Sequence, residues 1–134
     1  MQITSKSRYA LKIMMELAQA GENQLSKRAF IATKHKIPLD FMDQITLRLR
    51  KKHLLTSVRG PLGGLRLSLP ADQITVWDIF FAVEDHIYPV RCLHEHSCDQ
   101  EHDCIAYDAW HTIFFAIQNE LKTRNLSSLS TISL

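Results

Sequence analysis

The stretch Pro38-Leu39-Asp40-Phe41-Met42-Asp43-Gln44-Ile45-Thr46-Leu47-Arg48-Leu49-Arg50-Lys51-Lys52-His53 decides the fold, because its two faces differ in chemistry. Pro38 suits a first helical position, where its missing amide has no intrahelical partner to lose, and Asp40 places negative charge in the first turn. Met42, Ile45 and Leu49 recur at helical spacing and are expected to point inward. Asp43, Gln44, Thr46, Arg48, Arg50, Lys51 and Lys52 are left outside. That mixture of base-reading and phosphate-seeking side chains suits a recognition helix.

Downstream, Leu54-Leu55-Thr56-Ser57-Val58 and Leu65-Arg66-Leu67-Ser68-Leu69 read as strands, the second with strict alternation. Between them, Arg59-Gly60-Pro61-Leu62-Gly63-Gly64 carries three of the chain's four glycines. The expected product is a β-hairpin with a Gly/Pro tip and a basic residue at its base, the shape of a DNA-binding wing. Arg59 could enter a narrow, electronegative minor groove, with Gly60 beside it. Such hairpins are common, and this one gains its meaning from what precedes it.

Upstream, Ala10, Ile13, Met14, Leu17 and Ala18 mark a first helix between Ser7 and Ala20, broken by Gly21-Glu22-Asn23. Ser26 stands where an N-cap would open a second short helix through Lys34, burying Ala29 and Ile31 or Phe30. His35-Lys36-Ile37-Pro38 is the turn that joins it to the third helix, completing a helix-turn-helix.

Beyond Pro70, Thr75-Val76-Trp77-Asp78 reads as a capping box with Ile74 placed to staple against Ile79, opening a helix to about Glu84. Its Trp77, Phe80, Phe81 and Val83 read as core. From about Asp103 helical periodicity returns, with Ala106, Trp110, Ile113, Phe114, Ile117 and Leu121 on one face and Phe115 widening it. That is more apolar surface than a small winged domain covers. It is expected to be the seam of a homodimer presenting two wings to a pseudo-palindromic site. The tail from Leu126 to Leu134 reads as polar, packing at most a little on the partner. The expected architecture is mainly α with a small β-hairpin wing. A winged helix-turn-helix DNA-binding domain spans residues 1–70, and residues 71–134 supply a linker helix, a cysteine loop and a long C-terminal dimerisation helix.

Charge divides the chain at the same place. Residues 1–70 hold thirteen Lys and Arg against four Asp and Glu, whereas residues 71–134 hold three against ten. Basic residues solvating helix faces could produce part of this bias, but its segregation points to a polyanionic partner, double-stranded DNA. No stretch is long and apolar enough to span a bilayer, so no membrane partner is expected. No nucleophile motif, phosphate-binding glycine loop or paired carboxylates suggest an enzyme or a small-molecule substrate.

Cys92-Leu93-His94-Glu95-His96-Ser97-Cys98-Asp99-Gln100-Glu101-His102-Asp103-Cys104 holds every cysteine in the chain. An odd, clustered set argues against a secreted disulfide framework and for a reducing cytoplasm. Three thiols interleaved with three histidines are soft and borderline donors suited to iron or zinc. The residues alone leave three readings: an iron centre, a structural zinc site of Cys3His type, or a metal-free thiol switch that forms a disulfide.

Thr4-Ser5-Lys6-Ser7-Arg8-Tyr9-Ala10, Leu47-Arg48-Leu49-Arg50-Lys51, Ser57-Val58-Arg59-Gly60-Pro61 with Gly63-Gly64, and the three cysteines together resemble the bacterial winged-helix regulators typified by IscR, which include NsrR and RirA. The resemblance covers essentially the whole chain. It implies a dimeric transcription regulator, usually a repressor, whose DNA binding is controlled by an iron-sulfur cluster and which senses iron, redox state or nitric oxide. It also implies that Cys92, Cys98 and Cys104 are the cluster ligands, that Arg59 is the minor-groove arginine and that Gln44 faces bases. Asp43 falls where IscR-like members carry a base-reading glutamate, one methylene longer. The family's known fourth ligands are absent: Tyr107 replaces a histidine and Arg8 a carboxylate. Asp108, His111, His94, His96 and His102 remain as candidates, or an open iron site, which favours a 4Fe-4S over a 2Fe-2S cluster.

Overall fold

The computed structural model describes residues 2–94, 98–100 and 103–130. Helix α1 (Ser5–Ala20) opens at Thr4, whose hydroxyl accepts from the Lys6 amide at 3.2 Å. It buries Ala10, Ile13, Met14 and Leu17, the stripe that periodicity marks. Helix α2 (Arg28–His35) begins one residue later than an N-cap at Ser26 would set it, and its N-cap, Lys27, makes no side-chain cap. Ser26 is engaged elsewhere: its amide donates to Leu65 O at 2.9 Å and its carbonyl accepts from the Leu65 amide at 2.8 Å, adding a bridge to the hairpin. Helix α2 buries Ile31, as expected, together with Ala32, and leaves Ala29 and Phe30 exposed.

Helix α3 (Leu39–Lys51) buries Met42, Ile45 and Leu49 completely, as its pattern requires. Pro38 stands just outside it as N-cap, with ψ 138°. Strands β1 (Leu55–Val58) and β2 (Gly64–Leu67) pair antiparallel with Leu55 opposite Leu67 and Val58 opposite Gly64. Two glycines shape the tip. Gly60 has φ +106°, a conformation that side chains disfavour, and a Cβ on Gly63 would fall on the Val58 carbonyl oxygen.

After a 3-10 turn at Ala71–Gln73, helix α4 (Val76–Val83) opens with the full capping box. The Thr75 hydroxyl accepts from the Asp78 amide at 3.1 Å, and the Asp78 carboxylate accepts from the Thr75 amide at 2.9 Å. Ile74 and Ile79 are both fully buried, in keeping with the staple. Phe80 and Val83 join the core, but Phe81 is not core: it stays 47% exposed, stacked on Trp77 at 6.0 Å with Lys52 Nζ 5.4 Å above its ring.

A second 3-10 turn, Arg91–Leu93, leads towards helix α5 (Tyr107–Thr123). Only Phe114 of α5 is buried, packed against Trp77 and Tyr88 with ring centroids 6.1 and 4.9 Å apart. The tail differs from its polar reading. Leu126 opens a short helix α6 (Leu126–Ser130), is fully buried, and belongs to the same core cluster as Ile13, Ile45 and Ile79. Asn125 starts that turn by accepting from the Ser128 amide at 2.8 Å. One continuous core therefore joins α1, α3, the hairpin, α4 and α6, with α5 resting on it by one edge.

Candidate nucleic-acid interface and cysteine loop

The outer face of α3 and the hairpin enclose a groove of about 270 Å³ lined by Arg28, Asp43, Thr46, Leu47, Arg50 and Ser57. Gln44 is exposed beside it, and its side chain has no hydrogen-bond partner among the described residues. The Asp43 carboxylate accepts from Arg28 of α2, so a carboxylate and a guanidinium are presented together. The Thr46 hydroxyl is spent on its own helix, donating to Met42 O at 2.8 Å.

Arg59 and Gly60 stand exposed at the tip of the hairpin, and Arg59 has no hydrogen-bond or ion-pair partner among the described residues. Lys27 ties the tip down by donating to Pro61 O at 2.6 Å. Arg28 and Lys27 were not singled out by sequence reasoning. Both sit in the basic half of the chain, but their roles depend on α2 lying beside α3 and the hairpin, which no local pattern records.

Arg48, expected among the DNA-facing residues, has its guanidinium turned to α4. Its Nη1 donates to Val83 O at 3.0 Å and to Asp85 Oδ1 at 2.8 Å, so the guanidinium is engaged by the C-terminal end of α4. The last carbonyls of a helix and a carboxylate just beyond them attract a cation strongly, and α3 lies within reach.

Cys92 lies half-buried on the second 3-10 turn, and Cys104, also half-buried, accepts from the Tyr107 amide at 3.1 Å where α5 begins. Cys98 lies exposed between them, and none of the three is in a disulfide. Leu93, next to Cys92, and Tyr107, three residues after Cys104, line one cavity of about 280 Å³ with Tyr88, His111, Phe114 and Phe115. Of the candidate fourth ligands, Asp108 is exposed on the first turn of α5, and the His111 ring lies 4.4 Å from Phe115 and 6.1 Å from Tyr107. The His94 ring packs 4.7 Å from Tyr88, while His96 and His102 lie outside the described residues. Among the described residues no three metal-binding side chains are gathered closely enough to hold an ion. The donor set itself, three unpaired thiols on one loop, fits an iron-sulfur cluster in chemistry.

A basic helix-turn-helix followed by a hairpin is thus on hand, with a long helix beyond it. The model of the Rrf2 family, described as an iron-dependent transcriptional regulator, matches residues 3–131. The chain belongs to the Rrf2 family. It is 34% identical over 134 residues to the HTH-type transcriptional regulator IscR of Photorhabdus laumondii, covering 100% of this chain and 77% of that one. Among solved structures, CymR, the global cysteine regulator of B. subtilis, matches with a TM-score of 0.81 and 28% identity over 100% of this chain and 99% of its own. The IscR of T. potens shares the fold, with a TM-score of 0.78 at 21% identity over 100% of this chain and 93% of that one. As an Rrf2 regulator the chain is a DNA-binding transcription factor and not an enzyme, and its hairpin is the wing of a winged helix. No helix among the described residues is long and apolar enough to cross a membrane.

Proposed function

We propose that this Rrf2 protein is a homodimeric repressor whose affinity for operator DNA is set by an iron-sulfur cluster held through Cys92, Cys98 and Cys104. In this reading residues 1–70 supply the DNA contacts, with Asp43, Gln44, Arg59 and Gly60 at the interface, and residues 71–134 supply regulation and dimerisation. The observation that carries it is the position of the thiols. Cys92 and Cys104 bracket the entry to α5, and Cys98 lies free between them.

A cluster, when bound, supplies a centre that responds to redox change, nitric oxide or iron supply. What the chain itself does follows from where the loop is attached. Drawing the three thiols together would fix the start of α5 against Tyr88 and Leu93. Helix α5 carries Trp110, Ile113, Phe115 and Ile117 on its exposed side, between 38 and 51% exposed, a face suited to a second copy of the same helix. The setting of α5 would then determine the separation of two wings, and half-site spacing on DNA is fixed by the duplex. With no fourth cysteine in the chain, a 4Fe-4S cluster with a weak or external fourth ligand is favoured over 2Fe-2S.

The test is to purify the protein without oxygen and measure iron, sulfide and zinc per chain beside visible and Mössbauer spectra. Iron and sulfide near about four per chain are expected, falling in Cys98→Ser together with the regulatory response. Normal iron loading in that variant refutes the three-cysteine site. A second reading, a metal-free thiol switch, is favoured by the exposure of Cys98 and the unpaired state of all three thiols. It predicts an oxidation-dependent mobility change, lost in Cys-to-Ser variants, in protein that holds no metal. Zinc without sulfide would instead indicate a structural site.

A further inference from the structure

Three consecutive residues at the end of α4 are gripped from two sides. The Val83 carbonyl and the Asp85 carboxylate both accept from Arg48 of α3, with Nη1 at 3.0 Å from Val83 O and 2.8 Å from Asp85 Oδ1, and Nη2 at 3.4 Å from Asp85 Oδ2. Between them, Glu84 Oε1 accepts from the Thr4 amide at 3.2 Å, from the Thr4 hydroxyl at 2.5 Å, and from the hydroxyl of Ser7. Ser7 is fully buried, so its hydroxyl has no water to turn to. Lys6 Nζ lies 4.0 Å from Asp85. The recognition helix and the first turn of α1 are thus fastened to one spot, where the chain leaves the winged core for the segment that leads to Cys92.

A guanidinium that donates to a carbonyl and a carboxylate at once is held in one plane by its fork geometry. The Arg48 side chain is 35% exposed and that of Asp85 59%, so the carboxylate arm of the grip faces solvent while the Val83 carbonyl arm is part-buried. We propose that Arg48 is a positioning residue for DNA recognition: by fastening α3 to Val83 and Asp85 it sets the angle at which α3 enters the major groove, touching neither base nor phosphate. Base-edge contacts require several side chains to align together, whereas sequence-independent attraction to the phosphates tolerates a change of angle. Releasing α3 therefore costs specific affinity and spares non-specific affinity. The inference rests on the DNA-binding role of the Rrf2 fold and does not depend on what the cysteines hold.

The experiment begins by letting the wild-type full chain select duplexes from a random-sequence library. Affinities for the selected duplex and for a scrambled one are then measured over a series of salt concentrations. Arg48→Ala and Asp85→Ala are each expected to weaken binding to the selected duplex roughly tenfold, with the scrambled duplex and the salt slope unchanged for Arg48→Ala. The double variant should be no weaker than either single one. Asp85→Ala removes a negative charge, so electrostatics alone would tighten binding, and a weakening marks positioning. Arg48→Lys keeps the charge without the two-point grip and serves if Arg48→Ala does not fold; it too should lose specific affinity. If Arg48→Ala weakens binding to both duplexes with a salt slope shallower by about one, while Asp85→Ala costs nothing, Arg48 is a phosphate contact and the proposal is overturned. A wild-type protein that enriches no duplex would overturn the DNA-binding reading itself.

Discussion

The Leu126 amide donates to the Ile74 carbonyl at 3.0 Å, and the Val76 amide to Arg124 O at 2.8 Å, so helix α6 is stitched to the residues that open α4. Both Leu126 and Ile74 are fully buried in the common core. Leu126→Ala is expected to destabilise the fold by about 2–5 kcal/mol, the range for emptying a buried leucine site. Thermal or urea unfolding of the two proteins checks it. Since Leu126 does not line the groove beside α3, DNA affinity measured well below the transition should stay within about twofold.

Glu84 makes the stability of the winged core sensitive to acid. Burial opposes its charge, but the hydrogen bonds from Ser7 and Thr4 outweigh that and hold the carboxyl below its ordinary value of 4.5. A carboxyl lowered in the folded state contributes stability that is fully present above its unfolded pKa and is lost as pH falls through the lower folded one. Glu84→Gln should cost about 1–3 kcal/mol at neutral pH and flatten the loss of stability below about pH 4.5. Urea midpoints between pH 3 and 7 would show it, and parallel acid limbs in the two proteins would remove Glu84 from the account.

Arg59 projects from a hairpin tip that Gly60 turns and Lys27 anchors. Arg59→Ala is expected to weaken DNA binding roughly tenfold and to make its salt slope shallower by about one, with the oligomeric state and any bound metal the same as in the unsubstituted protein. Fluorescence anisotropy at several salt concentrations measures both quantities, and unchanged affinity would sink the wing assignment.

The exposed face of α5 predicts its own disruption. Ile113, 48% exposed beside Trp110 and Ile117, becomes the centre of a charged patch in Ile113→Asp. A homodimer should fall apart to monomers in sedimentation, and operator affinity should drop roughly a hundredfold as two-point attachment is lost. A variant that remains dimeric would place the seam elsewhere.

Much of this molecule was legible from neighbouring residues. Met42, Ile45 and Leu49 lie inside, and the Thr75–Asp78 box closes at 3.1 and 2.9 Å, because helical period and capping involve partners one turn apart. The wing was legible for a similar reason: two alternating runs flank glycines that the tip requires at Gly60 and Gly63. The start of α2 was not, since what occupies Ser26 is the distant Leu65.

The sequence by itself determined the order of the first five helices, the hairpin, the basic half and the cysteine loop, since each is written in periods, caps and turn residues a few positions apart. Only the tertiary structure decided that Arg48 serves α4, with its partner Asp85 37 positions away. It also decided that Leu126 closes the core and that Asp43 is held by Arg28. A side chain's charge or apolarity states what it seeks. Which partner it finds depends on helices brought side by side by burial of the whole core, and no local pattern encodes that juxtaposition.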